Sequence, residues 1–336
     1  MKSPTGASEQ RSSMKSHILG IDLGGTKVMA AVFDADGNIV SRARAKTRAW
    51  RDDEMVFQTV ARTAEQAMER ANVSRDQLRA VGIGAPGPLD PDTGVIIESA
   101  NMKLRNFPLG PRLAEAFECP AVIENDVNAG TYGEYRAGAG RGARHVLGVF
   151  VGTGIGGGII ADGALYHGFS KNAGEIGHII VKVGGPRCGC GNRGCWEALA
   201  SRTAITRDIR RSIRRGDKTR LKEKLRQETE LISGSDLGKA YRAGDKLVVK
   251  IMNRAARLLG VGIGSLVNVL SPEVVVLGGG VVEAMGDDFV ARIDEVARDT
   301  AFGFMVKDMR IVRAALGDDA GVTGAAMLAR EAVERA

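Results

Sequence analysis

The sequence predicts an α/β protein of two like domains. Short apolar runs of strand length alternate with stretches of helical period, the pattern of a layered α/β fold. One hairpin design occurs twice: apolar strand, Gly/Thr turn, apolar strand, Asp-Gly turn, at residues 18–37 and again at residues 146–163. The chain has 336 residues, enough for two domains with a sizeable core.

The first hairpin joins the runs around Ile18–Asp22 and Val28–Phe33 through Gly24-Gly25-Thr26-Lys27. Its glycines leave backbone N–H groups able to face a phosphate. Asp22, at the strand end, is placed to hold Mg2+ directly or through water. Asp52 and Asp53 cap a helix over Glu54–Asn72, with Phe57, Val60, Ala64, Met68 and Ala71 at helical spacing. Leu78–Ile83 is a short strand that ends in the rigid turn Gly84–Pro88, a usual ligand position in an open α/β sheet. A helix over residues 110–119 and a strand over Ala121–Ile123 follow.

That strand runs into Glu124-Asn125-Asp126-Val127-Asn128. An amide can fix a hydroxyl by donating and accepting, and the adjacent carboxylate can take the hydroxyl proton. Asp126 reads equally as the N-cap of a helix through Tyr135. The second hairpin joins Val146–Val151 to the run after Gly152-Thr153-Gly154, so a phosphate-facing turn opens each half of the chain. A long helix from about Asp245 to Leu270 carries the apolar stripe Leu247, Val248, Ile251, Ala255, Leu258 and Leu259. Ser271-Pro272 stops it, and Val274–Leu277 is a buried parallel-type strand. Gly278, Gly279 and Gly280 then form a turn able to pass close to an adenine or ribose. A strand near Met309–Ala314 and a helix from Asp319 complete the chain.

Between the second hairpin and the long helix lies the densest motif. Three of the four cysteines, Cys188, Cys190 and Cys195, are interleaved with Gly189, Gly191 and Gly194, and His178 precedes them. This is a donor set for a closed, tetrahedral structural zinc site. The glycines let the backbone curl so that the sulfurs converge. Packing of small buried cysteines is the alternative, and a disulfide is a weaker one, since Cys119 stands alone before Pro120 and a chain of this length needs no staple. Glu175 and Glu197 flank the loop, so a metal that fixes His178 and Cys195 fixes two acids as well. The segment reads as a polar claw for a ligand rich in hydroxyls.

Composition excludes several classes. Hydrophobic content of 44% and charged content of 26% are those of a soluble globular protein. Met1–Ser16 is polar, lacks the apolar core of a signal peptide, and reads as a disordered leader. No apolar run is long enough to span a bilayer. A reducing, cytoplasmic compartment is expected. Much of the +7 net charge lies in Arg202–Arg226, which includes Arg210, Arg211, Arg214, Arg215, Lys218 and Arg220 along a helical stretch. Aromatic residues are absent there, so a solvated helix face or a general attraction for anionic substrates is expected over nucleic-acid binding. Neither nucleic acid nor a membrane is expected as a partner.

With these residues in place, the sequence resembles the ROK family (repressors, open reading frames, kinases), and within it the bacterial ATP-dependent glucokinases. The motifs that carry the resemblance are Asp22–Lys27, Glu124–Asn128, Gly152–Gly157, Glu175–His178 and Cys188–Glu197, within residues 17–332. The resemblance implies the actin-like ATPase (ribonuclease H-like) fold: two α/β domains with an interdomain cleft. It divides the chain into the leader 1–16, a small domain of residues 17–124 with 316–336, and a large domain of residues 125–315 carrying the zinc loop. It implies phosphoryl transfer from ATP with Mg2+ to the 6-hydroxyl of a hexose, glucose first. Asp126 is then the base. Asn101, Asn125, Asp126, Glu175, His178 and Glu197 bind the sugar. Asp22, Gly24, Gly25, Thr26, Lys27, Thr153, Gly154, Gly278 and Gly279 hold the nucleotide. His178, Cys188, Cys190 and Cys195 bind a structural Zn2+. A homo-oligomer, dimer or tetramer, is the expected assembly.

Alternatives stand beside this reading. A sugar-responsive repressor of the same family would carry an N-terminal helix-turn-helix domain, whereas 16 polar residues precede the first strand and the base position is intact. Kinases for N-acetylmannosamine, N-acetylglucosamine, allose or fructose share the claw. Polyphosphate is an alternative donor that the positive charge would suit.

Overall fold

The computed structural model describes residues 15–25, 27–46, 52–99, 102–225 and 231–335. Thr26 and Asn101 lie outside these residues, as do residues 1–14 of the leader and Arg226 of the basic stretch. The chain forms two compact units. One comprises the described residues up to Gly133 together with those from Gly321, and the other is Glu134–Ala320. The resemblance implies boundaries after residues 124 and 315, whereas the units divide after Gly133 and Ala320, so the strand-to-helix turn that bears Asp126 goes with the first unit.

In the first unit come β1 (His17–Leu23), β2 (Lys27–Phe33), β3 (Ile39–Lys46), α1 (Asp53–Ala71), β4 (Leu78–Ala85), β5 (Leu89–Asp90), β6 (Val95–Ser99), β7 (Leu104–Phe107), α2 (Leu109–Phe117), β8 (Ala121–Asn125) and α3 (Asp126–Ala137). The second unit adds β9 (Val146–Val151), β10 (Ile155–Ala161), β11 (Ala164–Leu165), α4 (Glu197–Ala200), α5 (Arg202–Arg214), α6 (Gly234–Arg242), α7 (Lys246–Leu270), β12 (Val274–Gly278), α8 (Gly280–Met285), α9 (Asp287–Thr300) and β13 (Arg310–Arg313). The last helix, α10 (Ala320–Arg335), returns to the first unit.

The two main sheets repeat one strand order. The first is β3-β2-β1-β4-β8 and the second β11-β10-β9-β12-β13. In each, a hairpin strand runs antiparallel to the central strand, and two later strands join it in parallel. The repeated hairpin in the sequence is therefore the visible part of a repeated sheet. β12 is buried throughout, as its unbroken apolar run requires of a parallel strand covered on both faces.

Packing explains where the C-terminus goes. Gly20 of β1 pairs with Gly82 of β4. A Cβ at Gly20 would strike the Val322 carbonyl oxygen, and one at Gly82 the Ala325 carbonyl oxygen. These bare positions form the bed on which α10 lies, with Val322, Ala326 and Ala329 buried against Ile18, Met29, Phe33 and Ala80. The opposite face of that sheet packs on α1 and α2. In the second unit, Trp196 is fully buried and donates from Nε1 to the Leu258 carbonyl of α7 at 2.8 Å. It lies against Gly262, where any side chain would meet the indole.

Some elements differ from the sequence reading. α1 is capped as expected, with Asp52 Oδ1 accepting from the Met55 N–H at 2.8 Å. The basic stretch is not one helix: α5 ends at Arg214, and Gly216, with φ +94, turns the chain. β3 and the three-stranded sheet β5-β6-β7 are additions. β3 alternates buried Ser41 and Ala43 with exposed Arg42, Arg44 and Lys46, a strand signal that its charge conceals. No helix among the described residues is long and apolar enough to cross a membrane.

Candidate functional site

In the first unit the candidate residues lie at the carboxyl ends of β1 and β8. The Gly24 N–H donates to the Lys27 carbonyl at 2.9 Å and closes the first hairpin turn. A Cβ at Gly25 would meet nothing within 4 Å among the described residues, and its φ is ordinary. Neither packing nor backbone conformation accounts for glycine there. Asp22 faces the first turn of α10, where a Cβ at Gly321 would lie 2.8 Å from its Cγ. A helix N-terminus favours a carboxylate at that place.

β8 pairs in parallel with β4, with Ala85 opposite Asn125, and the chain passes directly into α3. The cap of α3 is Asn125, not Asp126. Asn125 Oδ1 accepts from the Val127 N–H at 2.9 Å and the Asn128 N–H at 3.1 Å. Asp126 is the first helical residue, and its Oδ1 also accepts from the Val127 N–H, at 3.0 Å. Because its oxygen already accepts two backbone donors, Asn125 offers a hydroxyl chiefly the donor half of its amide, rather than donating and accepting. Buried Glu124 underpins the turn, accepting from the Asn125 N–H at 2.8 Å and from Asn128 Nδ2 at 3.0 Å.

In the second unit the glycine-rich hairpin and the cysteine loop are linked. The Gly152 N–H donates to the Gly154 carbonyl at 2.9 Å, leaving Thr153 exposed at the tip. The start of α5 grips this tip: Arg202 Nη2 donates to Thr153 Oγ1 at 2.8 Å, and Thr203 Oγ1 donates to the Thr153 carbonyl at 2.7 Å. Glu197 Oε2 accepts from the Ile155 N–H at 3.2 Å. A Cβ at Gly154 would overlap that same carboxylate oxygen. The acid beyond Cys195 therefore rests on the hairpin itself. Gly279, with φ +87, lies against the Val151 backbone, where a Cβ would come within 2.6 Å of its carbonyl oxygen. A Cβ at Gly278 would come within 2.6 Å of the Phe150 ring. Packing on β9 thus accounts for glycine at both positions, and it sets this turn beside the hairpin.

His178, Cys188, Cys190 and Cys195 converge, with one ligand atom from each lying within 4.8 Å of all the others. Cys190 Sγ and Cys195 Sγ are 3.6 Å apart, and Cys188 Sγ is 3.7 Å from His178 Nδ1. A tetrahedral zinc with bonds of about 2.3 Å to sulfur and 2.0–2.1 Å to nitrogen has edges of roughly 3.5–3.8 Å. The residues fit the ion. The chain curls at Gly191 (φ +96) and Gly194 (φ +82); Gly189 has no such conformation and is not needed for the turn. Burial pushes the Cys188 thiol up to about 12 and raises Cys195, whereas the Asn192 backbone N–H lowers exposed Cys190. A cation is what would make the two buried sulfurs thiolates, since metal ligands must be deprotonated. On the far side of the imidazole, His178 Nε2 faces Glu175 Oε2 at 3.8 Å. Cys119 is buried in the core of the first unit and takes no part in this cluster.

The ROK family matches over residues 18–332. The chain belongs to the ROK family. It is 33% identical to the glucokinase of Halalkalibacterium halodurans over 93% of this chain and 94% of that protein. Among solved structures it is similar to a ROK hexokinase from Thermus thermophilus, with TM-score 0.78 and 35% identity, covering 95% of this chain and 100% of that one. It is similar also to a ROK family glucokinase from Streptomyces griseus in complex with glucose and AMPPNP, with TM-score 0.80 and 33% identity over 94% of this chain and 99% of that one. The duplicated sheet is thus the actin-like ATPase fold.

Three parts of this ROK site are not legible as motifs. Trp196, between Cys195 and Glu197, anchors the loop to α7. Its signal is only a large aromatic inside a polar, glycine-rich stretch. Arg202 and Thr203 sit in the basic block, where a solvated face is the simpler reading, yet both bond to Thr153.

Proposed function

We propose that this ROK protein is a glucokinase that transfers the γ-phosphoryl group of ATP to the 6-hydroxyl of glucose. The observation that carries the reading is the turn after β8. Asn125 caps α3, so Asp126 stands at the strand's carboxyl end with a role that capping does not explain. The similarity to glucokinases over nearly the whole chain supports it.

Asp126 accepts the proton of the 6-hydroxyl as its oxygen forms the new O–P bond and the bond to ADP breaks. Asn125 donates to a sugar hydroxyl through its amide. Glu175, His178 Nε2 and Glu197 take further hydroxyls, and Asn101 is assigned to the same set. The turns at Gly24–Lys27, Thr26 included, and at Thr153–Gly154 face the phosphates, and Gly278–Gly279 lies nearer the nucleoside. Mg2+, when bound, supplies charge neutralisation on the phosphates, and Asp22 is the carboxylate assigned to hold it. Zn2+ on His178, Cys188, Cys190 and Cys195 stiffens the loop that carries the sugar ligands. The enzyme is assigned to the cytoplasm and to carbohydrate metabolism at the entry to glycolysis, as a dimer or tetramer.

Arg202 supports the nucleotide side of this reading. It is a cation in the first turn of α5, where the helix end is itself positive. Burial lowers its pKa from the usual value, and its buried Nε has no hydrogen-bond partner among the described residues. An anion at the 152–154 hairpin would offset both costs. Because Thr153 Oγ1 accepts from Arg202, its own proton is left to donate to another acceptor, here assigned as a phosphate oxygen. Arg202→Ala is expected to raise KM for ATP by roughly ten- to hundredfold, the worth of one charge-assisted hydrogen bond. KM for glucose should change far less. An equal rise in both constants would show a general loosening of the hairpin instead.

Initial rates with glucose, mannose, fructose, allose and two N-acetylhexosamines, each with ATP and with polyphosphate, test the whole assignment. Glucose with ATP is expected to give the highest kcat/KM. A different best pair, or no turnover of glucose, would overturn it.

A further inference from the structure

A basic basin in the second unit is lined by none of the residues assigned above. It has a volume of about 760 Å3 and is walled by the cysteine loop, α5 and α7. Lys182 and Arg193 come from the loop segment, Arg207, Arg211 and Arg214 from one face of α5, and Arg254 from α7. Among the described residues, Asp208 is its one acidic lining residue. That carboxylate is engaged by two guanidinium groups: it accepts from Arg207 at 2.9 and 3.0 Å and from Arg254 at 2.8 Å. It therefore fixes two guanidinium groups in place and presents little negative charge of its own.

Helix-end electrostatics covers only part of this. Cations in the last turn of α5, Arg211 and Arg214, suit the negative end of a helix. The same effect does not reach Lys182, Arg193 or Arg254, which arrive from other elements. Lys182, Arg193 and Arg211 make no ion pair among the described residues.

We propose that this basin binds a linear oligophosphate, outside the catalytic site. Guanidinium groups match phosphate oxygens in bidentate geometry, and several converge here. A basin of this size exceeds what one phosphate fills. No aromatic side chain among the described residues lines it, so they give it no stacking platform of the kind on which single-stranded nucleic acids and nucleobases are held. The occupant that fits is therefore a phosphate chain without bases. Its binding would brace α5, which grips Thr153, against the cysteine loop.

Tripolyphosphate binding, measured by calorimetry on the full chain at two salt concentrations, tests this. The non-hydrolysable ATP analogue AMPPNP is present at saturation to block the catalytic phosphate turns. Binding at one site per chain that weakens with salt is expected. Arg211→Gln/Arg214→Gln should lower that affinity at least tenfold while glucose phosphorylation by ATP stays at the wild-type rate. No binding in the presence of AMPPNP, or unchanged affinity in the double variant, would overturn the proposal. So would equal affinity for a single-stranded RNA of matched charge. Because the kinase assay is separate, loss of the oligophosphate site leaves the glucokinase reading standing, and the converse holds.

Discussion

Asp126→Asn is expected to lower turnover of glucose by about 100- to 10,000-fold, the usual worth of a positioned base, with little loss of glucose affinity. The substitution keeps the size of the side chain and an oxygen able to accept from the Val127 N–H. It leaves the cap of α3 intact, because the cap belongs to Asn125. Stability should therefore hold, and the loss falls on proton transfer. Steady-state rates and calorimetric glucose binding on one preparation separate the two. Near-normal turnover with normal binding would remove Asp126 from the chemistry. Asn125→Ala is the matched contrast. It removes a helix cap, worth about 0.5–2 kcal/mol, and a hydroxyl donor together, so melting temperature and glucose affinity should both fall.

The exchange of roles between Asn125 and Asp126 marks where sequence reasoning stops. Asn and Asp cap helices about equally well, so composition could not say which of two neighbours holds the α3 N–H groups. One residue of register decides it, and boundaries are set by the end of β8 pairing against β4. The hairpins were legible because glycine punctuates them and because the design recurs. The cysteine loop was legible because packing alone rarely gathers three thiols into one short, glycine-rich stretch. By contrast, the bond from the Ile155 N–H to Glu197 joins residues far apart in the chain. So does the convergence of Lys182, Arg193, Arg207 and Arg254 on one basin. Neither leaves a local pattern. Arg202 was hidden for a different reason: in a stretch crowded with cations, nothing in the sequence distinguishes the one whose guanidinium is turned inward to a threonine.

Removing zinc is expected to weaken glucose binding before it unfolds the second unit. Cys188 Sγ lies 3.7 Å from His178 Nδ1 and 3.7 Å from Glu197 Oε1, so one sulfur borders two of the assigned sugar ligands. Without the ion, burial keeps Cys188 and Cys195 as neutral thiols, and no charge holds His178 against them. The imidazole is then free to turn, and the Nε2 face that meets Glu175 turns with it. Trp196 opposes wider collapse, since its anchorage to Leu258 and Gly262 does not depend on the metal. Misplacing one charge-assisted hydrogen bond of about 1.5–3 kcal/mol should raise KM for glucose by about tenfold or more. KM for ATP should move less. Cys188→Ala, or chelation of the wild-type protein, tests this, with zinc content measured on the sample assayed. The two treatments should agree, and returning zinc should restore only the chelated wild type. A zinc-free sample with unchanged KM for glucose would separate the metal from the sugar site. If zinc loss instead abolished folding, as a lost melting transition, the ion would be a staple of the whole unit rather than a brace for the claw.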